Sequence, residues 1–303
     1  MKHAVVEIGT NSVKYTVGVL QSGAVEFVKD VNTVTRLGEG LDKTGVLSRE
    51  AIERTASVVA DYVEQSHTDG AEQVEVIGTM ALRSARNTND FANRVKDLAH
   101  TDLRVISGEE EAKLSFNAML SEISGSVRRD ILVFDMGGGS TEFVYANLGK
   151  ITRAFSVNIG SVRLTENFLP EAPAPLSSVS RLKAVIRAEL VKNGVKGRPT
   201  YLAGTGGNLT TLFMLKEKMA EYDAEKLSGA VMSKTELDAL IKEIARRTID
   251  ERRAMAGMNP ARADVVLAGA CIVRSVMEIT ENRSVMLSLR GLRHAYVADM
   301  LTK

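Results

Sequence analysis

The stretch Val6-Glu7-Ile8-Gly9-Thr10-Asn11-Ser12 returns 128 positions later as Phe134-Asp135-Met136-Gly137-Gly138-Gly139-Ser140. Both copies read as a strand end, a carboxylate, a glycine turn and a serine. After each turn a β pattern resumes, over residues 13–20 in the first copy and 141–146 in the second. A short polar turn then leads to a further strand, around 25–34 and 151–157. The repeating unit is β-turn-β-turn-β. Its recurrence predicts two domains of the same core topology, facing each other so that the equivalent turns converge on one cleft. Strand-glycine-serine is a common pattern and chance is the alternative, but carboxylate, glycine and serine all keep register.

The rest of the chain alternates helix and strand. Ser48 caps a predicted helix to about residue 66, followed by a strand at 73–78, a helix from 88 or 89 to about 99, a strand at 103–106 and an acidic helix. In the second half a helix runs from Ser177 or Ser178 to about 192, and a strand at 200–203 feeds the turn Gly204-Thr205-Gly206-Gly207. Ser233 with Glu236 forms a capping box, and Asn259-Pro260 reads as the start of a helix to about residue 279. Loops are expected at 169–176 and 194–199.

With 303 residues, 44% hydrophobic and 25% charged, the chain can bury two modest cores. A formal net charge of +1 gives no whole-molecule attraction to DNA or membrane, so neither is expected as a partner. Met1-Lys2-His3 runs directly into Ala4-Val5-Val6 without a leader pattern, and no apolar run is long enough to span a bilayer; a cytoplasmic protein is expected. Cys271, the one cysteine, lies in an apolar stretch and reads as a buried small hydrophobe. His3, His67, His100 and His294 lack metal-ligand spacing, which argues against zinc catalysis. Gly-x-x-x-x-Gly-Lys-Ser/Thr and Gly-x-Ser-x-Gly are both absent.

A carboxylate-x-Gly-x-x-Ser turn at the carboxyl end of a strand suits a phosphate chain. Glycine lets backbone N–H groups approach the oxygens, the hydroxyl adds a donor, and the carboxylate can hold a divalent cation through water. The acids Glu109, Glu110 and Glu111 follow Ser107-Gly108 at a helix start. With Ser107 as N-cap, Glu110 completes a capping box and Glu109 meets the helix dipole. Glu111 has no such local duty and shares a stripe with Leu114, Ser115 and Ala118, where partial desolvation suits a general base. From local sequence alone, decoration of a helix start is the better reading of all three acids. Arg83 and Arg36 follow strands and can reach a phosphate, although each taken alone reads more readily as an ordinary surface arginine. Arg246, Arg247, Arg252, Arg253 and Arg262 form a basic concentration able to guide a polyanion, several of them reading as simple solvated residues and no single one standing out.

In order, Glu7-Ile-Gly-Thr-Asn-Ser12, Ala81-Leu-Arg83, Ile106-Ser-Gly-Glu-Glu-Glu-Ala-Lys113, Asp135-Met-Gly-Gly-Gly-Ser-Thr-Glu142 and Gly204-Thr-Gly-Gly207 resemble the motifs of the exopolyphosphatase and guanosine pentaphosphate phosphohydrolase family (Ppx/GppA). Further segments keep the same order, including Ile159-Gly-Ser-Val-Arg-Leu-Thr and Arg262-Ala-Asp-Val-Val-Leu-Ala-Gly269, so the resemblance covers nearly the whole chain. It implies an α/β fold of duplicated actin, sugar kinase and Hsp70-like (ribonuclease H-like) domains with an interdomain cleft, in the short form lacking a helical C-terminal domain. The expected domains are residues 1–124 and 125–289, with a last helix at about 290–303 packing back onto the first.

The resemblance also implies a reaction, the release of terminal orthophosphate from inorganic polyphosphate with Mg²⁺ or another divalent cation. The alternatives are hydrolysis of guanosine pentaphosphate and non-hydrolytic sensing of polyphosphate or an alarmone such as guanosine tetraphosphate; phosphoryl transfer to an acceptor, as in sugar kinases, is less favoured. Carried over by position, Glu111 is the catalytic base. Glu7, Asp135 and Glu142 would serve the metal, and Gly9, Thr10, Asn11, Ser12, Arg83, Gly137, Gly138, Gly139, Ser140, Thr205 and Gly206 the phosphates. A homodimer is expected by family analogy. Three departures from the usual pattern stand out: Glu7 replaces aspartate, Lys14 replaces arginine or another polar residue, and His294-Ala295 replaces Glu-Gly.

Overall fold

The structure, a computed structural model, describes residues 1–122 and 129–302. In chain order the elements are β1 (Lys2–Ile8), β2 (Ser12–Gln21), β3 (Ala24–Val34), α1 (Leu41–Thr44), α2 (Arg49–Thr68), β4 (Gln73–Gly78), α3 (Met80–Ser84), α4 (Thr88–Ala99), β5 (Leu103–Val105) and α5 (Gly108–Glu122). There follow β6 (Ile131–Met136), β7 (Thr141–Asn147), β8 (Lys150–Val157), α6 (Ser161–Phe168), α7 (Leu176–Lys192), β9 (Tyr201–Thr205), α8 (Gly207–Glu217), α9 (Ala224–Leu227), β10 (Val231–Ser233), α10 (Lys234–Ala245) and α11 (Ile249–Arg253). A 3₁₀ turn at Pro260–Arg262, α12 (Val266–Ile279), β11 (Ser284–Leu287) and α13 (Leu292–Thr302) complete the chain.

Two compact units emerge. One comprises Met1–Ala118 with the chain from Leu292 onward, the other Met119–Gly291. The boundary expected at 124/125 lies outside the described residues. The first unit's sheet runs β3-β2-β1-β4-β5 and the second's β10-β11-β9-β6-β7-β8. In both, a three-stranded antiparallel meander (β1–β3, β6–β8) continues into parallel strands. The registers repeat too: Glu7 pairs with Lys14 and Ile8 with Val13, as Asp135 pairs with Glu142 and Met136 with Thr141.

Alternation along the central strand decides which layer covers each face. Ala4, Val6 and Ile8 enter a core with α2 and α4, through Ala56, Val59, Phe91 and Val95. Val5, between them, points to the opposite face and packs with Ile77 of β4, Leu114 and Ala118 of α5, and Leu292, Val297 and Leu301 of α13. Gly18 lets α13 lie close on β2: a Cβ there would sit 2.4 Å from Val297 Cγ1. Burying Val297 and Leu301, at 0% and 1% exposure, contributes about 1.5–3 kcal/mol each. Arg293 completes the docking with two hydrogen bonds of 2.8 Å to Asp30, beside His294 Nε2 at 3.3 Å. In the second unit Leu132, Phe134 and Met136 of β6 enter a core shared with Leu182, Ile186 and Leu190 of α7 and most of α12. Cys271 is buried there, its thiol pushed up to about 12 by burial.

Ser48 accepts a hydrogen bond from Ala51 N at the start of α2, and the Ser233–Glu236 capping box is complete. Asn259-Pro260 behaves differently from expectation. It caps only the 3₁₀ turn, and α12 begins at Val266. Arg252 Nη1 donates to the Ala263 carbonyl at 3.3 Å, and Val265 N donates to Arg262 O in an i→i+3 bond. Among the described residues, no helix is long and apolar enough to cross a membrane.

Candidate active site

Each unit gathers its candidate residues at the carboxyl ends of its parallel strands, where open α/β sheets place their ligands. In the first unit β1, β4 and β5 end side by side. Thr79 N and Oγ1 both donate to Ile8 O, at 3.1 Å, and Ile106 N donates to Gly78 O. The turn after β1 closes by Gly9 N donating to Ser12 O at 2.9 Å. The turn after β6 closes by the equivalent bond, Gly137 N to Ser140 O, also 2.9 Å. The approach is tight at both: a Cβ on Gly9 would lie 3.2 Å from Ser12 O, and one on Gly137 3.1 Å from Ser140 O.

The turns share a further property. In the first, Gly38 N donates to Thr10 O, and Thr35 N and Arg36 N both donate to Asn11 O. In the second, Ser161 N donates to Gly137 O, and Val162 N and Arg163 N to Gly138 O. The carbonyls are thus held by a backing segment. The N–H groups of Thr10, Asn11, Gly138 and Gly139 meet no acceptor among the described residues. Asn11, 6% exposed, also leaves its Nδ2 without a partner. Buried donors of this kind are rare unless a ligand completes them.

Across the first ladder Glu7 faces Lys14, with Nζ 2.6 Å from Oε1. Oε2 is buried and unpartnered. Burial, the largest influence, pushes the Glu7 carboxyl up, but Lys14, Arg293 and His294 together hold it below the usual value. The equivalent pair in the second unit is acidic on both sides. Glu142, 1% exposed, accepts hydrogen bonds of 2.7 Å from Ser140 Oγ and Ser156 Oγ on its Oε1, and Asp135 stands directly across from it. Two carboxylates opposed on one face of a ladder favour a cation, whereas in the first unit the lysine is itself the cation. Among the described residues no three His, Cys, Asp or Glu side chains form a metal-holding group. A magnesium ion that keeps water and substrate oxygens needs only one or two carboxylates. The residues therefore fit such an ion at Asp135 and Glu142, and leave Glu7 a single oxygen for one.

The three acids of α5 separate as their helix positions require. Glu109 pairs with Lys113 at 2.7 Å, and Glu110 with Arg104 at 2.7 Å. Ser107 Oγ accepts from Glu110 N at 3.1 Å, so one half of the expected capping box is present and the Glu110 carboxylate goes to Arg104 instead. Glu111 turns inward, 9% exposed, and its Oε2 receives Arg83 Nη1 at 2.7 Å. The same Nη1 donates to Ile106 O at 2.9 Å. Glu111 is an ion-paired carboxylate rather than one isolated in apolar surroundings, and Arg83 is anchored on α3 as its partner.

At the end of β9, Gly206 lies so close to β6 that a Cβ would sit 2.4 Å from Met136 O, and its φ of 117° is open to glycine alone. Thr205 is buried beside it, paired with Asp135 across β6 and β9. Arg262 is the residue that sequence reasoning left undistinguished. Its guanidinium lies over Gly207, where a Cβ would meet Nη2 at 2.3 Å, at the positive start of α8. Arg262 is 4% exposed and its side chain makes no hydrogen bond or ion pair among the described residues; burial pulls its pKa down to about 10, against the field of Asp264. A buried cation at a helix N-terminus is the reverse of what the dipole favours unless an anion joins it. Of the remaining arginines of that group, Arg252 is buried, Arg247 and Arg253 pair with Glu243 and Asp250, and Arg246 is exposed.

The family model of the Ppx/GppA phosphatases matches residues 17–303. The chain belongs to the Ppx/GppA phosphatase family. It is 33% identical over 294 residues to exopolyphosphatase 2 of Mycobacterium tuberculosis, covering 93% of this chain and 91% of that protein. A second Ppx/GppA relative, the guanosine-5'-triphosphate,3'-diphosphate pyrophosphatase of Photobacterium profundum, is 26% identical over 99% of this chain, which spans 59% of it. The solved structure of the Aquifex aeolicus PPX-GPPA enzyme superimposes with a TM-score of 0.82 at 30% identity, covering 99% of both chains. The fold is thus the duplicated actin-like α/β fold of Ppx/GppA proteins, and the chain is a hydrolase of the phosphoanhydride-cleaving class.

Proposed function

We propose that the chain is an exopolyphosphatase, releasing terminal orthophosphate from inorganic polyphosphate with a divalent cation, in the cytoplasm. The observation that carries the reading is the doubled turn whose carbonyls are tied back and whose N–H groups at Thr10, Asn11, Gly138 and Gly139 meet no acceptor. Such N–H groups make a nest for phosphate oxygens, and the Asn11 amide and Arg262 guanidinium add donors that also need an anion. Polyphosphate is favoured by the likeness to exopolyphosphatase 2 along 91% of that protein.

In the proposed step a water oxygen bonds to the terminal phosphorus and the bridging P–O bond breaks, its electron pair leaving on the shortened chain. Glu111 accepts the water proton, and Arg83 fixes the carboxylate that receives it. A magnesium ion held by Asp135 and Glu142 would supply charge neutralisation at the phosphates. The remainder is positioning and electrostatics by backbone N–H groups.

Incubation of the purified chain with long-chain polyphosphate and Mg²⁺, with orthophosphate measured, tests the reading. Release is expected, and Glu111→Gln should lower it by about 10²–10⁴-fold. Binding without release would make the protein a sensor instead. Guanosine pentaphosphate is the second reading, favoured by the Photobacterium relative; inhibition of polyphosphate hydrolysis by low concentrations of guanosine compounds would transfer the preference to it.

A further inference from the structure

We propose that Gly160 and the first turn of α6 are positioning elements that aim the Gly138 and Gly139 N–H groups at bound phosphate. The inference rests on the phosphate-binding role of the 137–140 turn and assigns the part that sets its direction. A trans peptide is planar, with its C=O and N–H pointing in opposite senses. Gly137 O accepts from Ser161 N at 3.2 Å, so the Gly138 N–H is turned away from α6. Gly138 O accepts from Val162 N at 2.8 Å and Arg163 N at 3.2 Å, which turns the Gly139 N–H away likewise. The free N–H groups at the start of α6 are thereby used on the turn's carbonyls, which would otherwise be free to rotate toward a phosphate and repel it.

Gly160 is what lets the two backbones meet. A Cβ there would lie 2.3 Å from both Gly138 C and Gly139 N and 2.4 Å from Gly138 O, so the residue rests on the flat face of that peptide. Nothing flexible can move aside, because every contact is backbone. Gly38 holds the corresponding place behind the first turn, donating to Thr10 O at 2.8 Å, but there a Cβ would meet chiefly the Thr10 Cγ2 methyl, a side-chain atom. The start of α6 is fixed in turn by Asn208 Nδ2, which donates to the buried Ser161 Oγ.

The test reads binding, so it can be separated from the hydrolysis assay. The full chain, labelled with ¹⁵N-glycine, is titrated with a methylene-bridged triphosphonate, which carries the phosphate oxygens of tripolyphosphate and resists hydrolysis. In the wild type the Gly138 and Gly139 amide resonances should shift to saturation. Gly160→Ala should weaken affinity at least tenfold. Ser161→Pro removes only one N–H: Ser161 is the first helical residue, where proline is tolerated, and Gly160 already has the extended φ −146°, ψ 162° that a residue before proline prefers. Ser161→Ala keeps that N–H while losing the same hydroxyl, so Ser161→Pro should bind at least tenfold more weakly than Ser161→Ala. A merely structural role would lower Tm in both position-161 variants and leave their affinities equal. Equal affinity of those two, or wild-type Gly138 and Gly139 resonances that do not move, overturns the inference; if Gly160→Ala does not fold, the position-161 pair decides alone. Loss of the inference with intact orthophosphate release leaves the hydrolytic reading standing, and absence of release with shifted amides leaves the positioning role standing.

Discussion

Replacing Lys14 by methionine isolates the feature in which the two halves of the repeat differ. Glu7 is 5% exposed, its Oε1 bonds to Lys14 Nζ at 2.6 Å and its Oε2 has no partner. Methionine keeps most of the lysine's apolar stem and removes the charge, leaving a buried carboxylate to the more distant fields of Arg293 and His294. Removing one partner of a buried pair costs about 3–5 kcal/mol. Because the Lys14 side chain is 20% exposed and the Arg293 guanidinium remains, the lower end applies, about 3 kcal/mol. At about 2–4 °C per kcal/mol, the first unit should melt roughly 6–12 °C lower.

The pH dependence gives the sign. In the wild type Glu7 has a lowered pKa, so its contribution is present above the unfolded value of 4.5 and is lost as pH falls through the folded value. Without Lys14 the balance moves toward burial, which raises the pKa; the penalty should then be largest at neutral pH and shrink toward pH 5 as Glu7 takes up a proton. Scanning calorimetry at pH 7.5 and pH 5 measures both effects, and Glu7→Gln in the Lys14→Met background should recover most of the loss. A neutral-pH loss under about 1 kcal/mol, within what an exposed pair is worth, or one unchanged in the double variant, would refute the assignment.

Other consequences can be checked separately. Glu122 Oε2 accepts from Ser288 Oγ, Leu289 N and Arg290 N while its Oε1 accepts from Ser228 Oγ, so Glu122→Ala should destabilise the second unit by about 2–4 kcal/mol in urea denaturation. Inorganic tripolyphosphate should raise the wild-type Tm, and Arg262→Met should lose most of that increment while the ligand-free protein is as stable as before or more so, since an unpaired buried cation is removed. Cys271, fully buried with its pKa pushed up to about 12, should stay unmodified by an aromatic disulfide reagent at pH 8 until the protein is unfolded.

The repeat made the fold legible because a two-residue alternation and a glycine turn are local signals, and both ladders keep the same register between their equivalent residues. That Glu111, of the three acids, is the one that turns inward was legible by elimination on its helix. What escaped local reading is set by partners far along the chain. The inward face of α5 carries no sign that Arg83 will meet Glu111, and the two expected charge roles fuse into one ion pair. The cluster around Arg252 and Arg262 looked basic in one dimension, yet the fold buries those two and Arg252 breaks the helix expected from Pro260 by taking the Ala263 carbonyl. The role of Gly160 depends on a contact with Gly138 and Gly139, more than twenty positions earlier.

The most direct test of hydrolysis follows the water. Long-chain polyphosphate is incubated with the protein and Mg²⁺ in H₂¹⁸O, and the released orthophosphate is analysed by mass spectrometry. Attack of water on the terminal phosphorus predicts one ¹⁸O atom in each orthophosphate released, with the rate falling about 10²–10⁴-fold in Glu111→Gln. No release by the wild type, or equal release by Glu111→Gln, would contradict the account.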